Sequence, residues 1–414
     1  MVPDYVAMAG PAFVLLIGVE LFVAWRRGQA LYRLNDAVND IATGMIQQLS
    51  TLFTKGLLVA GYLWIFAELR LFELPTASAW TWVAGFLAVD LAYYWFHRLS
   101  HEINFLWAAH LVHHQSEDFN LAVALRQSTL QPFFGSVFYW PLALAGIPPA
   151  VFLTCSAINT LYQFWLHTQT IRSLGPLEAV LVTPSHHRVH HGRNPIYLDR
   201  NHGGTFIVWD RLFGTFQREE EEVVYGITRP LESWNPVWAN LHYWVELFRT
   251  ARAARRPIDK LRTFVAPPGW VPADLGGPEP PPAVSSATPK FDRAYPPALV
   301  PHAVFQFAAL IAATIVLANL GGEVALGLQI AGVAGIVWGL VDLGGLFEGR
   351  AWALDAEIVR LVVAPALLLA FGSDTPMLAA AALYVVGSLA FGARLLASRA
   401  RLREVAIAER PAAD

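Results

Sequence analysis

Long apolar stretches separated by short polar ones dominate the chain. A helix needs about 20 mostly apolar residues to cross the hydrocarbon core of a bilayer. Runs of about that length cover residues 5–25, 45–67, 78–97, 130–147 and 148–167, and further runs lie near 298–319, 324–347, 356–372 and 376–396. Lys55 interrupts the second run, and "GIPPA" at Gly146–Ala150 turns the fourth into the fifth. Residues 168–263 are polar and contain no possible span, and the Pro/Gly/Ser-rich stretch 264–297 reads as a linker. The pattern predicts an all-α fold, a multi-span transmembrane helix bundle. Its expected parts are a membrane domain over 1–263, the linker over 264–297, and a C-terminal four-span helical block over 298–414. No basic residue precedes the first apolar run, so it reads as a retained span rather than a cleaved signal.

Composition strengthens the membrane reading. Hydrophobic residues make up 55% of the chain and charged residues 15%, against about 25% charged in soluble domains. The 15 Trp and 12 Tyr suit bilayer interfaces. A net charge of −3 points to no polyanion, and no nucleic-acid partner is expected. The single cysteine, Cys155, excludes a disulfide framework, a thiolate zinc site and an iron–sulfur cluster. It reads as a small buried hydrophobe.

Basic residues orient the expected bundle. With the apolar runs alternating across the membrane, Arg26, Arg27, Arg33, Arg98, Arg172, the run "RTARAARRPIDKLR" at Arg249–Arg262, Arg350, Arg394, Arg399, Arg401 and Arg403 all fall on one side. Arg70 is the exception. The positive-inside rule makes that side the cytoplasm and puts the C-terminus there. The run Arg249–Arg262 also reads as a segment lying on the membrane surface.

The chemistry lies in the histidines. Eleven of the 13 fall between residues 97 and 202. His97 and His101 are spaced i, i+4, hence neighbours on one helix face. His110, His113 and His114 form H-x-x-H-H, and His187, His190 and His191 repeat it in "PSHHRVHHG", with His186 in front. His167 closes the fifth apolar run. A lone H-x3-H arises often by chance, but all three sets in this order and on one side do not. Imidazole, with a free pKa of about 6.5, is largely an open ligand at neutral pH. So many donors are too many for one tetrahedral ion and suit two metals with open positions. Imidazole accepts zinc, copper, iron and nickel alike; a sulfur-free, two-metal, membrane-embedded site fits oxygen-activating iron best.

The stretches "YYWFHRLSHEINFLWAAHLVHHQSEDFNLAVALRQS", "LYQFWLHTQTIRSLGPLEAVLVTPSHHRVHHGRN" and "WDRLFGTF" resemble the fatty acid hydroxylase and sterol desaturase superfamily of membrane di-iron enzymes. They are most similar to its tetrahydrobiopterin-dependent, ether-lipid-cleaving branch. The resemblance is strong over about residues 80–230. It implies two Fe ions held by His97, His101, His110, His113, His114, His187, His190 and His191, with His167 and His186 at positions the family keeps as histidine. It implies a role in activity for Glu102, O2 as co-substrate, tetrahydrobiopterin as reductant, and a membrane lipid substrate. His202 in "NHGG" departs from the family, which often has Tyr there. Two alternatives stay open: a sterol, fatty acyl or carotenoid desaturase or hydroxylase fed by an electron-donor protein, and a His-rich metal transporter.

Supporting residues carry their own expectations. Asp90, two turns before His97, is expected to accept an imidazole N–H or to bond between helices. Glu117, Asp118 and Asn120 read as a solvated loop, and Asn159 as a cavity-lining or helix-bridging residue. "NPIYLDRNHGGTFIVWDRLFGTF" reads as a tight turn and a short amphipathic piece, His302 as an interfacial residue and His242 as a packing residue.

Overall fold

The computed structural model describes residues 5–320, 323–372 and 375–397. The tail residues Arg399, Arg401 and Arg403 lie outside the described residues. Regular structure among the described residues is helical, and β pairing is confined to two isolated bridges, Leu181 with Phe206 and Gly192 with Tyr225. The chain divides into two compact units: residues 1–44, 54–231 and 240–290 form one, and residues 45–53, 232–239 and 291–414 the other.

The first unit carries the histidines. A turn of helix, α1 (Tyr5–Met8), precedes α2 (Gly10–Arg26), and α3 (Leu34–Leu69) is one unbroken helix in spite of Lys55. Next come α4 (Ala79–Glu102) and α5 (Asn104–His110), which runs directly into a 3-10 turn over Leu111–His114. The run at 130–147, expected as one span, is instead two short helices, α6 (Gln131–Phe138) and α7 (Trp140–Leu144). Pro141, in the first turn of α7, has no N–H to continue α6. At 1.5 Å per residue α6 is only about 12 Å long, too short to cross. α8 (Pro149–Phe164) packs against α4 through an apolar core of Val89, Ile147, Val151 and Cys155. Gly85 permits this approach, since a Cβ there would meet Val151 Cγ1 at 2.6 Å. Short helices follow: α9 (Pro184–His190), α10 (Val208–Phe213), α11 (Pro236–Ala253) and α12 (Pro257–Val265).

In the second unit α13 (Leu299–Leu320), α14 (Leu326–Phe347), α15 (Ala353–Phe371) and α16 (Thr375–Ala397) pack as a closed ring. Among the described residues four helices are long and apolar enough to cross a membrane: α3, α13, α14 and the 375–393 part of α16. The protein is thus a multi-pass membrane protein. α15 reaches 19 residues but carries Asp355, Glu357 and Arg360.

The interior of the ring is polar at one level. His302, expected at an interface, is instead fully buried and donates from Nε2 to Glu357 Oε1 at 2.8 Å. Arg360 donates to both Glu357 oxygens, to Gln306 Oε1 and to Tyr384 Oη, and lies 3.8 Å from Asp342. Removing one partner of a buried ion pair costs about 3–5 kcal/mol because the other charge stays behind. Arg360→Met is therefore expected to lower the melting temperature in detergent markedly; melting like the parent protein would show the pair to be dispensable.

Candidate metal centre

Four short segments bring nine imidazoles together, one of them the stretch just after α8 that carries His167. α4 contributes His97 and His101, one turn apart. At Leu111 the chain tightens from α to 3-10 geometry, and the adjacent His113 and His114 point in different directions. α9 starts at Pro184, whose fixed φ suits a first helical turn, and ends on His190, with His191 as its cap. Two sets result: His97, His101, His110, His114 and His190, and His113, His167, His187 and His191. Within each set the ligand atoms lie within 4.8 Å of one another, and all nine side chains are buried. Each H-x-x-H-H motif is thus divided between the two sets.

Protonation decides what the sets can bind. His113 Nδ1 faces Arg126 O at 2.9 Å and His167 Nδ1 faces Gln163 O at 3.0 Å. A carbonyl only accepts, so both protons sit on Nδ1 and both Nε2 atoms present lone pairs. Those Nε2 atoms are 3.1 Å apart. Lone pairs at that distance repel unless a cation lies between them. The five-histidine set has the same wiring: His97 Nδ1 donates to His202 O at 2.8 Å and His190 Nδ1 to Arg200 O at 3.0 Å. The Nε2 atoms of His101, His190 and His191 are buried and have no hydrogen-bond partner.

The spacing carries further information. Nε2 separations are 3.1 Å for His97–His110, 3.0 Å for His110–His114, 3.1 Å for His113–His167 and 2.9 Å for His167–His187. With metal–nitrogen bonds of about 2.1 Å, donors at right angles sit about 3.0 Å apart and tetrahedral donors about 3.4 Å apart. Separations this short let neighbouring donors reach a single ion.

Two carboxylates, those of Asp90 and Asp210, fix this arrangement without touching the imidazoles. Asp90 accepts no imidazole proton. It accepts from the N–H of Thr205 (2.7 Å) and Phe206 (3.1 Å), from Trp209 Nε1 (2.8 Å) and from Asn159 Nδ2 (2.5 Å). Asn159 thereby bridges helix and loop, also reaching Thr205 Oγ1 at 3.1 Å. Asp210 accepts from the N–H of His202 (2.7 Å) and Gly203 (2.8 Å) and from Thr215 Oγ1 (2.7 Å). Together they clamp the loop whose carbonyl orients His97. The two glycines fit this clamp: a Cβ on Gly203 would meet Asp210 Oδ2 at 2.9 Å, and one on Gly204 would meet Asp90 Oδ1 at 3.0 Å. "WDRLFGTF" thus supplies Trp209, Asp210 and Thr215 as loop fasteners, a role its sequence did not announce.

Arg126 does comparable work behind His113. It is 2% exposed and donates to Val112 O (2.6 Å), Asn39 Oδ1 (2.5 Å), Asp40 Oδ1 (3.1 Å) and Gln115 Oε1 (2.5 Å). Glu117, Asp118 and Asn120, expected in solvent, are buried. Asp118 is paired with Arg33 at 3.0 Å and Lys290 at 2.7 Å, partners too distant in sequence to foresee. Glu20 accepts from the Leu121 N–H and from the Tyr32 and Thr168 hydroxyls, tying α2 to the residue after His167.

Four other residues singled out in the sequence lie outside both sets. His186 turns toward Phe216 and Thr183. Glu102 is partly exposed and pairs with Arg98 at 2.8 Å. His202 is fully buried, with both ring nitrogens unpartnered and its ring centroid 5.0 Å from that of His101. His242 Nδ1 lies 3.5 Å from Gln115 Nε2.

Burial keeps imidazoles neutral. Desolvation lowers His110 and His186 to about 4 and His202 to about 3. From about pH 6.5 down to about pH 4 the unfolded chain takes up protons that these folded groups refuse, so stability falls as pH drops through that window. The melting temperature of chelator-treated protein is accordingly expected to decline as pH is lowered from about 7 to about 5. A flat profile would contradict burial of neutral rings.

Comparison with known proteins agrees with the site. Residues 82–215 match the fatty acid hydroxylase family. The chain is 41% identical to human alkylglycerol monooxygenase over 382 residues, 91% of this chain and 85% of that one. It is 39% identical to the zebrafish (Danio rerio) alkylglycerol monooxygenase over 392 residues, 92% of this chain and 86% of the relative. An ornithine lipid hydroxylase of Rhizobium tropici is 31% identical over 135 residues, 32% of this chain and 41% of the relative. No solved structure matches the chain.

Proposed function

Because the chain belongs to the alkylglycerol monooxygenase family, whose members are lipid-hydroxylating membrane monooxygenases, we propose that it hydroxylates the alkyl carbon next to the ether oxygen of an O-alkylglycerol lipid. Family membership sets aside the metal-transporter alternative. The observation that carries the proposal is the pair of nitrogen-only sets inside the matched region, with Nε2 lone pairs converging at 2.9–3.1 Å. His97, His101, His110, His114 and His190 would hold one iron, and His113, His167, His187 and His191 the other. When bound, two irons supply electrons for splitting O2 and an oxidant strong enough for an unactivated C–H bond.

The chain's own residues prepare that chemistry. Backbone carbonyls of His202, Arg126, Gln163 and Arg200 hold each proton on Nδ1 and leave Nε2 free. Burial of all nine rings excludes bulk water from the centre. In the overall reaction O2 gives one oxygen atom to the C–H bond and one to water. A tetrahydropterin supplies the two electrons and becomes a dihydropterin. The hydroxylated product is a hemiacetal, which breaks its C–O bond to release a fatty aldehyde and a glycerol lipid. The site and the C-terminus face the cytoplasm in this proposal; for the site this is supported by the basic run Arg249–Arg262, which no span separates from His191.

Full-length protein in membranes, given an alkylglycerol, O2 and a tetrahydropterin, is expected to release fatty aldehyde. Absence of aldehyde, with turnover of a sterol or acyl lipid on addition of a ferredoxin-type donor, would replace this proposal with that of an electron-carrier-fed hydroxylase. Glu102, at the outer end of α4 and paired with Arg98, is proposed to meet the reductant. Glu102→Gln is then expected to raise KM for the tetrahydropterin and leave iron content unchanged; loss of iron would make it a metal-site residue instead.

A further inference from the structure

α12 has its amphipathicity reversed. On a water-exposed surface the apolar stripe of a helix faces the core. In α12, "PIDKLRTFV", the inward side carries Asp259 and Thr263, which are 7% and 1% exposed. Its outward side carries Ile258, Leu261 and Val265, which are 57%, 69% and 60% exposed. These three lie on one face by their i, i+3, i+7 spacing. Phe248 at the end of α11 adds to the outward surface at 62% exposed and meets Phe264 edge-on at 5.3 Å.

The inward contacts fix this orientation. Asn104 donates from its backbone N–H to Ala266 O at 3.0 Å and from Nδ2 to Thr263 O at 2.9 Å, while Tyr243 Oη donates to Asn104 Oδ1 at 2.7 Å. α12 is therefore docked on α5 by its polar side and cannot turn its apolar side inward without losing these bonds. The charge around it is equally one-sided. Residues 249–262 hold six basic side chains and one acid, a local charge of +5 in a chain whose net charge is −3.

We propose that the end of α11 and α12 form a membrane-surface anchor that seats Ile258, Leu261 and Val265 among acyl chains and binds the anionic headgroups of a phospholipid bilayer through the surrounding Arg and Lys. The apolar face supplies burial and the basic residues select for anionic lipid. Because α12 packs on α5, whose last residue is His110, this lipid surface lies beside a segment that carries the metal centre.

The test needs no turnover and so is independent of the proposed reaction. Leu261→Cys in the full-length chain would be labelled with bimane; the native Cys155 is buried. The labelled protein would be placed in nanodiscs of phosphatidylcholine with or without phosphatidylglycerol. Quenching by a lipid bearing a shallow nitroxide would be compared with quenching by acrylamide in water. The nitroxide lipid is expected to quench more strongly, and its advantage to grow at least about twofold when phosphatidylglycerol is added. Arg255→Glu with Lys260→Glu is expected to abolish that growth. Acrylamide quenching equal to or above that of the lipid, as a soluble partner's docking face would give, overturns the proposal. So does an advantage that ignores phosphatidylglycerol or survives the charge reversals.

Discussion

His113→Ala is expected to leave the protein folded, with about one iron per chain and no measurable aldehyde release. His113 supplies one of four donors to the smaller set and none to the larger. Its Nε2 sits 3.1 Å from that of His167, so its loss takes away one of two adjacent donors. The five-histidine set keeps all its donors. His101→Ala is expected to do the converse, removing the ion of the larger set and sparing that of the smaller. Iron analysis beside a melting curve separates these outcomes from unfolding. Two irons with full turnover in either variant would contradict the assignment of nine imidazoles to two ions.

The second large effect is expected at a residue that binds no metal. Asp90 is fully buried and satisfies two backbone N–H groups, the Trp209 indole and the Asn159 amide. Asp90→Ala leaves these donors unpaired, and each buried unpaired donor costs about 1–3 kcal/mol. The loss of stability is expected to be at least about 3 kcal/mol. The loop from His202 to Phe206 would loosen with it, and His97 would lose the carbonyl that holds its proton on Nδ1. Iron content is then expected to fall together with the melting temperature. A variant that melts and binds iron like the parent would show that the clamp does not orient His97.

These two residues also show what a sequence can reveal. The histidine cluster was legible from its spacing, and His97 and His101 do share a set; each H-x-x-H-H, which the spacing places on one face, is instead divided between the two sets. Their division into sets was not legible, because it depends on where the chain tightens into 3-10 geometry at Leu111 and on how four segments meet. Asp90 stands out in the sequence for its distance from His97, yet one partner, Asn159, lies on another helix and the others lie more than 100 residues further on, in a loop whose motif reads as ordinary turn chemistry. Asp118 and His302 were misplaced for the same reason: Arg33 and Lys290 bury the first, and Glu357 buries the second. The break at 139–141 could have been read from Pro132 and Pro141, but hydropathy alone merged the two pieces into one span. Reversed amphipathicity in α12 lay beyond the sequence, since the pattern gives a polar and an apolar face and only packing tells which one is inward.

The metal content of the purified, full-length protein tests the central claim most directly. Elemental analysis is expected to find about two irons per chain, one for each nitrogen set. Zinc in place of iron, or a single ion per chain in fully folded protein, would contradict it.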